Sequence, residues 1–471
     1  MTVSASSAVP SSRTYWFAGF LALLVLLPLP FGANRPWASD LFGVASALLL
    51  LGMAFDIRRT PSLWPTSGPM RRISFSAGLM GLVVLWAVLQ TQDWMPAAWH
   101  HPLWRDVQGM PEATAGSLAI DPGQFPESLT RLLAYVACFL LAFVGGRNSG
   151  RARQLLYALG IAALMYAFYG LLMQATNLEK VLWFDKWAYK GFVTSTFVNK
   201  NSFATYVGLG FQVCLALLWQ QLKRKPETLL AQRSLKAARL EKLLRQDIFY
   251  IVMCLIVLGA LLLSGSRAGM VSTLAGCLIF WAALAINHRW HWKKWLPVLL
   301  IFLAVIIGFS LTSSSLLFDR LDPNRLQADT PLRVAAYGIA LRAIASNPWL
   351  GFGLGSFESV FRLYRDPTFT MWFQHAHNDY LEIAIELGIP AALMLLTALV
   401  LLISCCVSGI WRRKRHEIFS VLALSASVTV GLHSLADFSM QIPAVAATYA
   451  ALLGLGVAQS WSSRKHRSEE Q

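Results

Sequence analysis

YLEIAIELGIPAALMLLTALVLLISC, residues 380–405, carries Glu382 and Glu386 near its start and no charge after them. About 20 apolar residues at 1.5 Å each cross the roughly 30 Å of bilayer hydrocarbon, so this run reads as a transmembrane helix. Immediately before it stands FQHAHND, residues 373–379, which places His375, His377, Asn378 and Asp379 where lipid meets water. Asn and Asp are good helix N-caps, so part of this segment has a purely structural reading. Histidine, with an ordinary pKa near ~6.5, is the side chain suited to taking a proton at physiological pH.

The rest of the chain repeats the pattern. Of 471 residues 56% are hydrophobic and 14% charged, and the mean hydropathy is +0.51, which excludes an ordinary soluble globule. Long apolar stretches fall at about 15–31, 38–55, 73–91, 129–146, 154–173, 200–221, 248–264, 270–287, 296–312, 380–405, 418–436 and 444–460. The sequence therefore predicts an all-α polytopic membrane protein of about 12 spans, forming a single integral membrane domain over 1–471. The first stretch lacks a small-residue cleavage site and is expected to be retained as a span.

Most of the 40 Lys and Arg fall in alternate connecting segments, including 223–247, 288–295 and 411–417. By the positive-inside rule both termini are then cytoplasmic, which an even number of spans requires. The net charge of +16 follows from this topology and from contact with anionic lipid, and no motif points to nucleic acid. Residues 223–247 are basic, with leucines partly on one face, and suit a helix lying on the inner leaflet. The six cysteines all lie in expected spans and suggest neither disulfides nor zinc.

On the outer side, 92–128 and 174–199 are rich in tryptophan, for which an interfacial belt is sufficient reason and sugar stacking an alternative. The largest outer segment is 313–379, between spans nine and ten. It contains a predicted helix from Leu332 to Ser346 and a Gly351–Gly355 run without the strand–helix context of a nucleotide loop. It also holds Arg320, Arg325, Arg333, Arg342, Arg362 and Arg365, many cations for an outer loop. Arg267 sits in the tight turn GSRAG, residues 265–269. A guanidinium there either caps a helix end or binds an anion, and its fork suits phosphate better than lysine does.

Taken together, TFVNKNSFATY at 196–206, GSRAG at 265–269, Leu332-Arg333 with Tyr337, NPWLGFGLGSF at 347–357 and HAHNDYLEIAIELGIP at 375–390 resemble the O-antigen ligase/polymerase (Wzy-type) family. The resemblance is strong from about 190 to 395. His377-Asn378, nine residues and Gly388 match a ligase motif, although Ala391 stands where that motif carries Gly, Thr or Tyr. Arg342, ten residues and Gly353 match a pattern of polymerases, so both activities stay open.

The resemblance implies a membrane glycosyltransferase of the bacterial inner membrane, active on the periplasmic side in O-antigen and lipopolysaccharide biosynthesis. Its donor would be a glycan on undecaprenyl diphosphate, and its acceptor lipid A–core or a second lipid-linked repeat, with membrane lipids as surroundings. No cofactor and no metal are expected. His377 is the candidate base for the acceptor hydroxyl, with Asp379 or a backbone carbonyl holding its tautomer. Arg267 and Arg333 are the candidates to neutralise the leaving diphosphate. Arg342, His375, Asn378, Asp379, Asn199, Lys200 and Asn201 are the candidate substrate-binding residues. A polysaccharide or lipid transporter would also use about 12 spans, but would carry its charges mid-span, whereas here they gather at the outer edge.

Overall fold

The computed structural model describes residues 15–64, 68–106, 116–223, 236–287, 323–366, 373–413 and 416–462, with side chains from 246 in the fourth range and from 332 in the fifth. The long elements are helices α1 (Tyr15–Leu26), α2 (Pro36–Arg59), α3 (Met70–Leu89), α4 (Leu103–Asp106), α5 (Phe125–Gly145), α6 (Ser149–Ala175), α7 (Lys200–Leu222), α8 (Lys236–Leu263) and α9 (Arg267–Asn287). They continue with α10 (Pro323–Ser346), α11 (Phe357–Tyr364), α12 (Asp379–Arg412), α13 (Glu417–His433) and α14 (Pro443–Gln459). Among the described residues, eight helices are long and apolar enough to cross a membrane, and α1, α13 and α14 are shorter apolar ones. Together they cover every expected span except 296–312, which lies outside the described residues.

Local chemistry sets several boundaries. Asn148, Asn199 and Asn378 accept from backbone N–H groups of the first turns of α6, α7 and α12, and Pro36 opens α2. The bundle is built around α7, whose apolar window is 89% buried against α6, α8, α9 and α13. Small residues let helices approach closely: a Cβ at Gly454 of α14 would lie 2.4 Å from the Phe139 carbonyl of α5. Polar pairs lock α9 to α13, with Ser425 donating to the Gly276 carbonyl at 2.8 Å and Thr429 to that of Ser272 at 3.2 Å.

Three features differ from the sequence reading. The tenth span is not one uninterrupted helix, because α12 is broken at Gly388 (φ 78°). The Asn347–Gly355 segment fills the break: Phe352 N–H donates to Ile385 O at 3.0 Å, Gly353 N–H to Glu386 O at 2.9 Å, and Ile389 N–H to Pro348 O at 2.8 Å. Backbone freed by a break at membrane depth must be satisfied by protein, and the glycine-rich run does this. The segment 174–199, expected on the outer side, contains a hairpin, Lys180–Val181 (β1) against Phe184–Asp185 (β2). Residues 236–247 continue α8 without interruption, while 224–235 lie outside the described residues.

Candidate active site

Three distant pieces of chain meet at one end of the bundle: the 373–378 loop, the turn after α13 and one face of α10. His377 has φ +51°, a left-handed conformation uncommon outside glycine and of the kind found at functional sites. Its carbonyl is fixed by the Tyr337 hydroxyl of α10, which donates to it at 2.8 Å. Asn378 caps α12 by accepting from Tyr380 N–H and Leu381 N–H at 3.0 and 3.1 Å, and donates from Nδ2 to Leu435 O at 3.1 Å. The loop is thus tied to α10 behind and to the α13 turn in front.

The His377 ring stands edge-on to Phe438 and Phe373, with centroids 4.8 and 5.4 Å away. Its Nδ1 lies 3.1 Å from Asp437 Oδ1. Burial pushes the Asp437 carboxyl up, but the hydrogen bond and charge of His377 outweigh this and hold it below the ordinary range, hence ionised. An ionised carboxylate only accepts, so Nδ1 is the nitrogen that carries a proton, and in the neutral ring this leaves the lone pair on Nε2. Among the described residues Nε2 has no hydrogen-bond partner. The expectation that Asp379 orients this imidazole is corrected: the partner is Asp437, while Asp379 accepts from Ser434 Oγ at 2.7 Å.

His375 faces the other way, stacked on Phe438 at 4.5 Å. Its Nδ1 is 2.8 Å from Glu382 Oε1, and Glu382 Oε2 accepts from Ala376 N–H at 2.8 Å. Burial alone would lower the His375 pKa; the Glu382 charge and hydrogen bond reverse this and raise it. Phe438 therefore separates two imidazole–carboxylate pairs of different surroundings.

Arg333, one turn before Tyr337 on α10, donates to Ala436 O at 3.0 Å and so sits on the same turn as Asp437. Arg267 is the exposed first residue of α9 and not a cap on the preceding helix; Ser266 is the residue whose Oγ accepts from Gly269 N–H. The α9–α13 register, Ser272 with Thr429 and Gly276 with Ser425, extrapolates to Arg267 level with Ser434, at the height of the Asp437 turn. Its guanidinium makes no hydrogen bond or ion pair among the described residues. Arg342 is nine residues beyond Arg333, half a helical rotation away, and points out exposed from the opposite face of α10. The structure does not bring Arg342 to His377.

Asn199 is the cap of α7, its Oδ1 2.7 Å from Asn201 N, and Asn201 is buried. Lys200 lies 3.8 Å over the Phe192 ring. This helix end reaches the site indirectly: Thr205 Oγ1 is 3.0 Å from Ser439 Oγ, which is 3.1 Å from His433 Nδ1.

Residues 252–396 match the family model described as O-Antigen ligase. The match supports an O-antigen ligase/polymerase assignment and a membrane glycosyltransferase-like function. No curated protein matches the chain.

The matched segment runs from α8 into α12 and holds Arg267, Arg333 and His377, but the carboxylate on His377 comes from outside it. Asp437, Glu382 and Phe438 were not singled out by the sequence. The available signal for Asp437 was the same as for Arg267: an isolated charge in a short turn between two apolar spans.

Proposed function

We propose that the protein transfers a glycan from an undecaprenyl-diphosphate donor to a hydroxyl of lipid A–core at the periplasmic face of the bacterial inner membrane. The observation that carries this reading is the His377–Asp437 pair, with Nε2 unpartnered and Arg333 held on the same turn. His377 Nε2 takes the proton of the acceptor hydroxyl as its oxygen attacks the anomeric carbon. The bond from that carbon to the diphosphate oxygen breaks, and undecaprenyl diphosphate leaves with the electron pair. Arg333 and Arg267 offset the charge that grows on it, a role that calls on no metal. A single displacement inverts the anomeric centre. Asp437 keeps the imidazole in the required tautomer and stabilises the imidazolium that forms.

Polymerisation, in which the acceptor is a second lipid-linked repeat, uses the same steps. The Arg342–Gly353 spacing and Ala391 keep it in view. The deciding experiment offers purified protein a lipid-linked glycan with lipid A–core, with a second lipid-linked repeat, and with neither, all in EDTA, and identifies the product. A new glycosidic bond to lipid A–core, absent with His377→Ala, is expected. Movement of intact lipid-linked glycan across vesicles without any new bond would replace this reading with transport.

A further inference from the structure

The donor residues proposed above do not line the cavity that opens beside the site. A cavity of about 1070 Å³ opens at the outer edge beside His375 and Glu382 and descends between helices to Ile73 and Ile403. α3 packs on α12, and α5 packs on α14 and α2; the cavity separates these two groups. Its depth is apolar, with Met80, Phe139 and Leu399 among its walls, and its mouth is polar. His377, Arg267, Arg333 and Arg342 are not among its walls.

Three arginines stand at the mouth. Arg131 pairs with Glu127 and donates to Ser39 Oγ, and Arg362 pairs with Glu358. Arg35 is different. Its guanidinium makes no hydrogen bond or ion pair among the described residues and is held between two rings, 5.4 Å from the centroid of Phe31 and 5.4 Å from that of Trp187. The loop presenting it is left-handed at three successive residues, Phe31, Gly32 and Ala33, with φ of 56°, 70° and 58°. That backbone is held by the 194–198 segment: Thr196 Oγ1 donates to Pro28 O at 2.7 Å, and a Cβ on Gly32 would strike the Phe197 ring at 2.7 Å. Ring faces position a cation without neutralising it, so its N–H donors stay available to an anion. Strain of this kind persists where surrounding structure imposes it and gathers at ligand clamps.

We infer that this cleft seats the acceptor glycolipid, with its hydrocarbon in the apolar depth and its phosphate on Arg35 between Phe31 and Trp187. The inference rests on the transferase reading for the word acceptor; the phosphate site itself does not. The cleft also carries carboxylates, but Glu127 and Glu358 pair with arginines, Glu382 with His375, and Asp121 and Asp379 accept from Ser359 and Ser434. Arg35 is the mouth arginine without a carboxylate partner, so it selects an anionic group, and the apolar depth below it selects a lipid over a free phosphate. The donor's diphosphate, assigned to Arg333 and Arg267, approaches on the far side of Phe438. An acceptor entering past His375 then reaches His377 from the opposite side of that ring.

The test uses the full protein in nanodiscs, with Arg35→Ala, Arg35→Lys and Trp187→Ala, all at exposed positions. Binding is measured for lipid A–core, for its dephosphorylated form, for a lipid-linked repeat and for phosphatidylglycerol, and transfer is measured as kcat and KM. Arg35→Ala is expected to weaken the phosphorylated acceptor about tenfold or more, with the dephosphorylated form bound alike by wild type and variant. Acceptor KM should rise with kcat retained, and lysine should rescue only in part. Which acceptor shows the effect, lipid A–core or the lipid-linked repeat, names the source of the phosphate. Unchanged acceptor binding in Arg35→Ala overturns the site, as does phosphatidylglycerol competing equally, or a rise in donor KM alone when lipid A–core is the acceptor. Arg35-dependent binding by a protein that forms no glycosidic bond would keep the site and sink the transferase reading.

Discussion

Asp437 Oδ1 lies 3.1 Å from His377 Nδ1 across sixty residues of sequence, and this contact joins the segment that matches the O-antigen ligase model to the last pair of helices. A base that must present Nε2 needs its other nitrogen protonated, and the buried, ionised Asp437 provides that. His377→Ala is expected to lower kcat ~10²–10⁴-fold with donor binding retained. Asp437→Asn should cost at least about tenfold, because an amide accepts less strongly and permits the wrong tautomer. The double variant should be no worse than His377→Ala, since the two act as one unit. Full additivity in single-turnover kinetics would assign Asp437 an independent role.

The arginines separate by position. Arg333→Ala and Arg267→Ala should each reduce transfer at least about tenfold, the loss of a charge-assisted contact of ~1.5–3 kcal/mol. Arg342, on the opposite face of α10, should tolerate alanine with far less effect. Measured in one membrane preparation at matched expression, an Arg342→Ala loss equal to that of Arg333→Ala would show that α10 turns its other face to substrate.

How much of this was legible depended on whether the signal was local. Apolar runs and Asn caps act over a few residues, so the span positions and the start of α12 at Asn378 follow from sequence. Candidate residues His377, Arg333 and Arg267 were visible as polar groups at odds with their apolar or expected outer setting. The break at Gly388 was not, because its cause is the Trp349–Gly353 backbone arriving from elsewhere. Asp437 and Glu382 escaped for the same reason: each is defined by a histidine that only the fold brings to it.

That break gives a stability prediction. Gly388 (φ 78°) and Gly351 (φ 71°) touch backbone to backbone, and a Cβ on Gly351 would lie 2.4 Å from Gly388 N. Alanine at either site adds a left-handed strain of about 1–3 kcal/mol to a clash with backbone that cannot rotate away. Both variants should lower the thermal midpoint in detergent and with it transfer. Gly81→Ala, on α3 with nothing within 4 Å of the added atom, should match or exceed wild type. Equal midpoints for Gly388→Ala and Gly81→Ala would mean the packed break does not matter to stability.

Topology is open to a direct check. A cysteine introduced at Gln327 or in the 437–443 turn should react from outside spheroplasts with a membrane-impermeant thiol reagent, whereas one in 223–247 should not. The native cysteines are buried and should stay silent. The distribution of Lys and Arg motivates this orientation. Protection at 327 with reaction at 223–247 would invert the protein and move the site to the cytoplasm.

The two imidazole–carboxylate pairs should answer to pH differently. For His375, burial lowers the pKa but Glu382 more than reverses it, so the folded value lies above the ordinary 6.5. A raised histidine contributes stability that is fully present below pH 6.5 and lost as pH rises through the folded value. Glu382→Gln keeps an acceptor for Ala376 N–H but removes the charge. Its deficit in thermal midpoint against wild type should therefore be largest below pH 6.5 and shrink on going alkaline. Asp437 is shifted the other way: burial raises it, His377 outweighs this, and the folded value falls below the ordinary 3.8. Its contribution is present above pH 3.8 and lost only as pH falls through the lower folded value, so the Asp437→Asn deficit should be level between pH 5 and 9. Midpoints measured across that range for both variants decide the matter, and a Glu382→Gln deficit that grows with pH would show that His375 is not held charged by Glu382.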